Sequence, residues 1–168
     1  MKTLYLVRHA SASIDSPTKK DVDREINFQG INEADAMAGY MMKNKQRPEL
    51  IITSNASRAK ATAQIFAKHL FYPNDKIQES ASLFEGKPDA YLKVISACDD
   101  GLSFVLLIGH NPAITQLANE LLQKPVAAFK PSGVACIEFE IEKWNVLPAA
   151  GILKYYSDPQ LIRSSSTL

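Results

Sequence analysis

The run Leu4-Tyr5-Leu6-Val7 is wholly apolar and then meets Arg8-His9. A run this short, rich in branched and aromatic residues, predicts a buried strand over residues 3–8. The pattern returns twice. Leu50-Ile51-Ile52-Thr53 predicts a strand over 50–53, which runs into Ser54 and, four residues later, Arg58. Phe104-Val105-Leu106-Leu107-Ile108-Gly109 predicts a strand over 103–108, and His110 follows it. Charged and imidazole side chains are costly inside a core, so these strand ends are expected to face a cleft.

Helical spacing fills the intervals. Ile31, Ala34, Met37, Ala38 and Met41 form an apolar stripe on a helix expected from Gln29 to Asn44. Ala59, Ala63, Ile65, Phe66 and Leu70 do the same over 56–70. Helices are expected over 89–97, with Tyr91, Leu92 and Ile95 inward, and from Pro112 to Leu122, where proline suits a helix start. Lys76 to Ser80 predicts a short strand. Val134 to Ile141 alternates apolar and polar residues and predicts a half-exposed, antiparallel strand, with 151–156 pairing beside it. The polar stretch from Ser11 to Asn27 is long for a strand-to-helix connection, and such loops are often functional.

Alternating strands and helices predict an α/β fold, a three-layer αβα sandwich. Its central sheet is expected to be mostly parallel, with one or more antiparallel edge strands. A chain of 168 residues with 46% hydrophobic and 22% charged residues suits one soluble domain over residues 1–168, with a flexible Ser-rich tail at 163–168. The formal net charge of +1 argues against a nucleic-acid partner. No apolar stretch approaches a membrane span and no secretory segment is evident, so no membrane partner and a cytoplasmic location are expected. Cys98 and Cys136 lack CxxC spacing and read as buried small apolar residues.

In a parallel sheet the C-terminal strand ends share one edge, and ligands bind in the crevice outside them. Arg8, His9, Arg58 and His110 can therefore meet in one pocket. Arginine forks suit phosphate oxygens. A neutral imidazole can attack phosphorus, and a second can donate a hydrogen bond. Nearby Arg8 and Arg58 would keep His9 neutral before substrate arrives. The competing readings are a packed strand-end histidine, a surface ion pair for Arg58 and a turn histidine for His110. His69, in the last turn of its helix, reads as a cation on the helix dipole.

These residues resemble the histidine phosphatase superfamily. Leu6-Val7-Arg8-His9-Ala10 is similar to its Arg-His-Gly/Ala signature. Ser54-Asn55-Ala56-Ser57-Arg58-Ala59-Lys60-Ala61-Thr62-Ala63 is similar to its Ser-x-x-x-Arg-Ala-x-x-Thr-Ala motif, and Ile108-Gly109-His110-Asn111-Pro112 to its Gly-His-Asn-Pro form. Asp21-x-x-Arg24-x-Ile26-Asn27-x-x-Gly30 and Leu83-Phe84-Glu85-Gly86 add weaker matches. Together they resemble the small SixA-type phosphohistidine phosphatase branch, over about residues 3–156.

The resemblance implies a phosphoglycerate mutase-like fold and a phosphatase working without metal or cofactor. His9 would be the nucleophile. Arg8, Arg58 and His110 would bind the phosphoryl group, with Arg24 and Asn27 near the substrate. Larger relatives use a carboxyl group as proton donor, whose place falls near Ser82 here. Glu85 is the nearest candidate proton donor, and Glu79 another. A site without a strong acid would favour P–N substrates, whose leaving groups are good. The expected substrate is a phosphohistidine-bearing protein. The alternatives are a small-molecule phosphomonoesterase of the same mechanism and a non-catalytic phosphoprotein-binding module.

Overall fold

The computed structural model describes residues 1–165. Six strands are present: β1 (Lys2–Arg8), β2 (Leu50–Ser54), β3 (Gln78–Ser80), β4 (Phe104–Gly109), β5 (Val134–Phe139) and β6 (Ile152–Ser157). Five α-helices accompany them: α1 (Phe28–Lys43), α2 (Ser57–His69), α3 (Pro88–Ser96), α4 (Ala113–Leu122) and α5 (Pro159–Ser165). They form one sheet in the order β3-β2-β4-β1-β5-β6. β3, β2, β4 and β1 are mutually parallel, β5 is antiparallel to β1, and β6 is antiparallel to β5. The expected α/β sandwich is therefore present. Its antiparallel strand stands one place in from the edge, where β6 covers it.

Alternation along the strands builds two cores. Leu4, Leu6, Ile52, Val105 and Leu107 face one side, against Tyr91 and Ile95 of α3 and Ile114, Leu117 and Leu121 of α4. Tyr5, Val7, Ile51, Leu106 and Ile108 face the other, against Met37 and Met41 of α1 and Ala63 and Phe66 of α2. A period of two in the strands and of 3.6 in the helices is enough to produce this layering. Ile31 departs from expectation: it is exposed, because the buried stripe of α1 runs through Gly30, Glu33, Ala34, Met37, Ala38 and Met41. Ile31 sits about a quarter of a turn from the centre of that stripe, at its margin in the first turn of the helix.

The helices that follow β1 and β4 lie on opposite faces of the sheet. The two strands are neighbours in register, with Val7 beside Ile108 and Arg8 beside Gly109. Their outgoing loops part over the strand ends and open a crevice between them.

The 11–27 connection is tied at its base. Ala12 and Ile26 form an antiparallel bridge, the Ser13 amide donates to the Glu25 carbonyl (2.8 Å) and the Asn27 amide to the Ser11 carbonyl (3.2 Å). Asn27 also caps α1 by accepting from the Gly30 amide at 2.8 Å. Gly30 allows close approach here, since a Cβ would meet the Ser11 carbonyl oxygen at 2.0 Å. The tip, at Ile14, is 90% exposed. Residues 163–165, expected to be part of a flexible tail, close α5, and the rest of that expectation falls at 166–168, outside the described residues. Among the described residues no helix is long and apolar enough to cross a membrane.

Candidate active site

Register delivers the side chains to one place. The His9 amide donates to the Gly109 carbonyl (3.0 Å), which fixes the end of β1 beside the end of β4. The His9 and His110 rings are then 4.9 Å apart between centroids. Arg58, on the first turn of α2, reaches across so that its Nε donates to His9 Nε2 at 3.3 Å. A cleft of about 660 Å³ opens over them, and Arg8, His9, Arg24, Arg58, Glu85 and His110 all line it.

The tautomer of His9 follows from its partner. Nδ1 lies 2.7 Å from the Ala10 carbonyl oxygen, which can only accept, so Nδ1 carries the hydrogen. Nε2 keeps its lone pair and directs it toward Arg58. Burial lowers the His9 pKa to about 4. The Ala10 bond opposes that shift, while Arg58, Arg8 and Arg24 reinforce it. The ring is thus neutral at physiological pH.

His110 is held on three sides. Its Nε2 meets Ser54 Oγ at 2.8 Å, and its amide donates to the Tyr91 hydroxyl at 3.0 Å. Phe84 packs edge-on against the ring at 5.5 Å. Burial, then His9 and Arg58, push its pKa down to about 3. The Tyr91 hydroxyl donates onward to the Leu83 carbonyl at 3.0 Å. Gly109 makes room for this ring, because a Cβ there would come within 2.4 Å of Tyr91 Cε1.

Arg8 donates from Nη1 to the Phe129 carbonyl (2.8 Å), while its Nε is buried with no hydrogen-bond partner. Arg24 donates to the Ser13 carbonyl (2.7 Å) and to Asp21 Oδ1 (3.0 Å). Asn27 is occupied in capping α1 and does not line the cleft. Glu85 is exposed on the rim of the cleft. Glu79 lies elsewhere, 3.7 Å from Lys60. Ser82 is exposed and bonds to Ser80 at 2.8 Å.

Several groups at the cleft had no role assigned from sequence. Asp21 bonds both Arg58 and Arg24, and those contacts, Arg24 first, hold its carboxyl below the usual range. It is therefore a carboxylate at neutral pH, unsuited to donating a proton. Ser54, Phe84 and Tyr91 brace His110. Ser54 and Phe84 belong to the family-like motifs, but nothing in those motifs ties them to His110. Among the described residues no three His, Cys, Asp or Glu side chains are grouped as metal ligands would be.

The sequence profile of the histidine phosphatase superfamily (branch 1) matches residues 4–93. The chain belongs to that superfamily. Arg8, His9 and Arg58 fall inside the matched span, and the fold brings His110, which lies beyond it, to their side. The resemblance read from the motifs thus holds at the level of family and fold, and with it the reading of the chain as a phosphatase.

This histidine phosphatase is similar over nearly its whole length to SixA structures. The protein histidine phosphatase SixA complexed with tungstate is 23% identical, covers 95% of this chain and 99% of its own, and superposes with a TM-score of 0.80. A protein assigned as phosphohistidine phosphatase SixA from Agrobacterium tumefaciens is 25% identical over 94% of this chain and 99% of its own, with a TM-score of 0.79. A curated relative, an uncharacterized protein of Mycobacterium leprae (strain TN), is 26% identical over 126 residues, which is 70% of this chain and 75% of its own.

Proposed function

We propose that this phosphatase hydrolyses phosphohistidine on proteins through a phosphorylated His9. The observation that carries the reading is the orientation of the His9 ring: Nδ1–H is committed to Ala10, and Nε2 is free of hydrogen and beside Arg58. In the first step the Nε2 lone pair attacks phosphorus and the bond from phosphorus to the leaving nitrogen breaks. That nitrogen keeps the electron pair, and the substrate imidazole, already protonated by solvent on its other nitrogen, departs neutral. In the second step water attacks phosphorus, loses a proton, and the P–Nε2 bond breaks to release phosphate.

Arg8, Arg58 and His110 bind the equatorial oxygens as charge develops. Phosphoryl transfer depends mostly on positioning and charge stabilisation, which these groups supply as a metal ion would elsewhere. The buried, unpartnered Nε of Arg8 gains an acceptor when an oxyanion arrives. Arg24 extends the positive rim.

Two features favour a P–N substrate on a protein. The carboxylate nearest the arginines, Asp21, is held ionised, and Glu85 is exposed on the rim, so among the described residues no carboxyl group is buried in the cleft to protonate an alkoxide leaving group. The cleft is also open, which admits a side chain displayed on a protein surface. The cytoplasm suits this reading, and the free thiols of Cys98 and Cys136 fit a reducing compartment.

The test is to mix the protein with ³²P-labelled phosphohistidine protein and quench at short times. Label on His9, lost in His9→Ala, is expected. A protein that cleaves alkyl phosphate monoesters as fast as phosphohistidine would be a small-molecule phosphatase instead. One that binds phosphoprotein without any turnover would be a binding module.

A further inference from the structure

Glu33 is a buried carboxylate on α1, only 6% exposed, outside the lining of the cleft. It occupies a polar position on an otherwise apolar stripe, so its burial requires a reason. Its oxygens accept from the Ser11 amide (3.0 Å), the Ser11 hydroxyl (2.9 Å) and Gln29 Nε2 (2.8 Å). The first of these bonds is the informative one.

The Ser11 N–H and the Ala10 C=O belong to one peptide group. One side of that group donates to Glu33, and the other accepts from His9 Nδ1–H at 2.7 Å. A negative charge at the N–H end pushes electron density through the amide onto the carbonyl oxygen and strengthens the bond it accepts, as in any chain of polarised hydrogen bonds. The peptide cannot swing away. The preceding amide, Ala10 N–H, donates to Thr62 Oγ1 at 3.0 Å, and Thr62 in turn donates to the Arg58 carbonyl at 2.7 Å.

We propose that Glu33 is a positioning residue that acts on His9 through the Ala10–Ser11 peptide. No proton moves along this path. The carboxylate holds the peptide plane, the peptide holds Nδ1–H, and Nε2 stays aimed into the cleft. When Nε2 is phosphorylated the ring becomes formally cationic, and the polarised carbonyl stabilises that charge. A carboxylate bonded directly to the imidazole does the same work in other enzymes. Here one peptide group separates the two, which keeps the negative charge out of the phosphate site. The charged groups facing the ring itself are Arg58, Arg8 and Arg24, with His110 beside it. Glu33 acts by charge on the Arg8 guanidinium, and it reaches the ring only through the Ala10–Ser11 peptide.

This inference rests on His9 being the nucleophile, so its test reads the ring directly. In protein labelled with ¹⁵N-histidine, Glu33→Gln is expected to move the Nδ1–H proton of His9 upfield. With phosphoramidate as phosphoryl donor, the same variant should lose about tenfold in kcat with little change in KM. Ser11→Ala removes a bond to the carboxylate but leaves the peptide path, and should leave the resonance in place. The idea is overturned if Glu33→Gln leaves the resonance unmoved, or if Ser11→Ala moves it as far. Should Glu33→Gln not fold, the Ser11 amide proton of the wild type decides. It is expected far downfield, and an ordinary amide position overturns the proposal. If phosphoramidate leaves no label on wild-type His9, the nucleophile reading fails while the ring resonances still report on Glu33.

Discussion

Arg58 is tied to Asp21 at two points: Nη1 donates to the Asp21 carbonyl oxygen at 2.7 Å, and Nη2 to Oδ2 at 3.1 Å. The Asp21 carboxylate thus stands where the guanidinium fork would otherwise offer itself to an oxyanion. A dianion entering the cleft must share the fork with a negative charge or displace it. Asp21→Asn removes that charge and keeps the size. It is expected to tighten inorganic phosphate several-fold, read as a lower inhibition constant. Equal or weaker inhibition would assign Asp21 to orienting the arginine alone.

Arg58 also points Nε at His9, so its geometry is that of a planar fork. Lysine offers one point charge and cannot make these three contacts together. In the proposed reaction Arg58→Lys should lose about a hundredfold or more in kcat, with the fold intact by circular dichroism. Near-normal turnover would show that bulk positive charge suffices.

Depressed imidazole pKa values have a consequence for folding. The unfolded chain binds protons on histidine near pH 6.5, while the folded chain resists until about 4 at His9 and about 3 at His110. Between these limits the unfolded state holds more protons. Stability contributed by the neutral rings is therefore complete above pH 6.5 and falls as the pH drops toward 4 and below. Urea midpoints at pH 7 and pH 4.5 should show this loss, and His110→Asn should lessen it. A midpoint flat across that range would contradict the neutral pair.

Tyr91 is the strut beneath His110. Tyr91→Phe leaves the buried His110 amide and Leu83 carbonyl without their shared partner. That should cost about 1–3 kcal/mol of stability, measured by chemical denaturation. Gly109→Ala should be harsher, because its Cβ would overlap the Tyr91 ring.

Glu85 separates the two kinds of leaving group. If it protonates a departing oxygen, Glu85→Gln should slow alkyl phosphate hydrolysis by about tenfold or more and leave phosphohistidine hydrolysis nearly unchanged. Equal slowing of both would make it a binding group.

Much of this molecule is legible in its chain. β1, β2 and β4 each hold a short apolar run, as a strand in a sheet covered on both faces requires, and the residues just beyond their ends become neighbours by register. What escaped notice escaped for definite reasons. Asp21 is one acid in a polar loop until tertiary folding carries it to Arg58. Glu33 is hidden by the exposed Ile31, which suggested a different phase for the α1 stripe. α5 is masked by its Ser-rich composition, although Asp158-Pro159 carries a helix-start signal: Asp158 Oδ1 accepts from the amides of Gln160 and Leu161, each at 2.9 Å.

The knotted base of the first long connection has an evolutionary and practical consequence. Because Ser13–Glu25 and Asn27–Ser11 pairing fastens its two ends, the tip around Ile14 can lengthen, shorten or be nicked by a protease without unseating Arg24 or the helix behind it. The same connection turns inward further on, where Lys20, Asp21, Val22 and Arg24 line the cleft and Ile14 does not. Changes of length at Ile14 are therefore expected to spare the chemistry, whereas changes from Lys20 onward reach it.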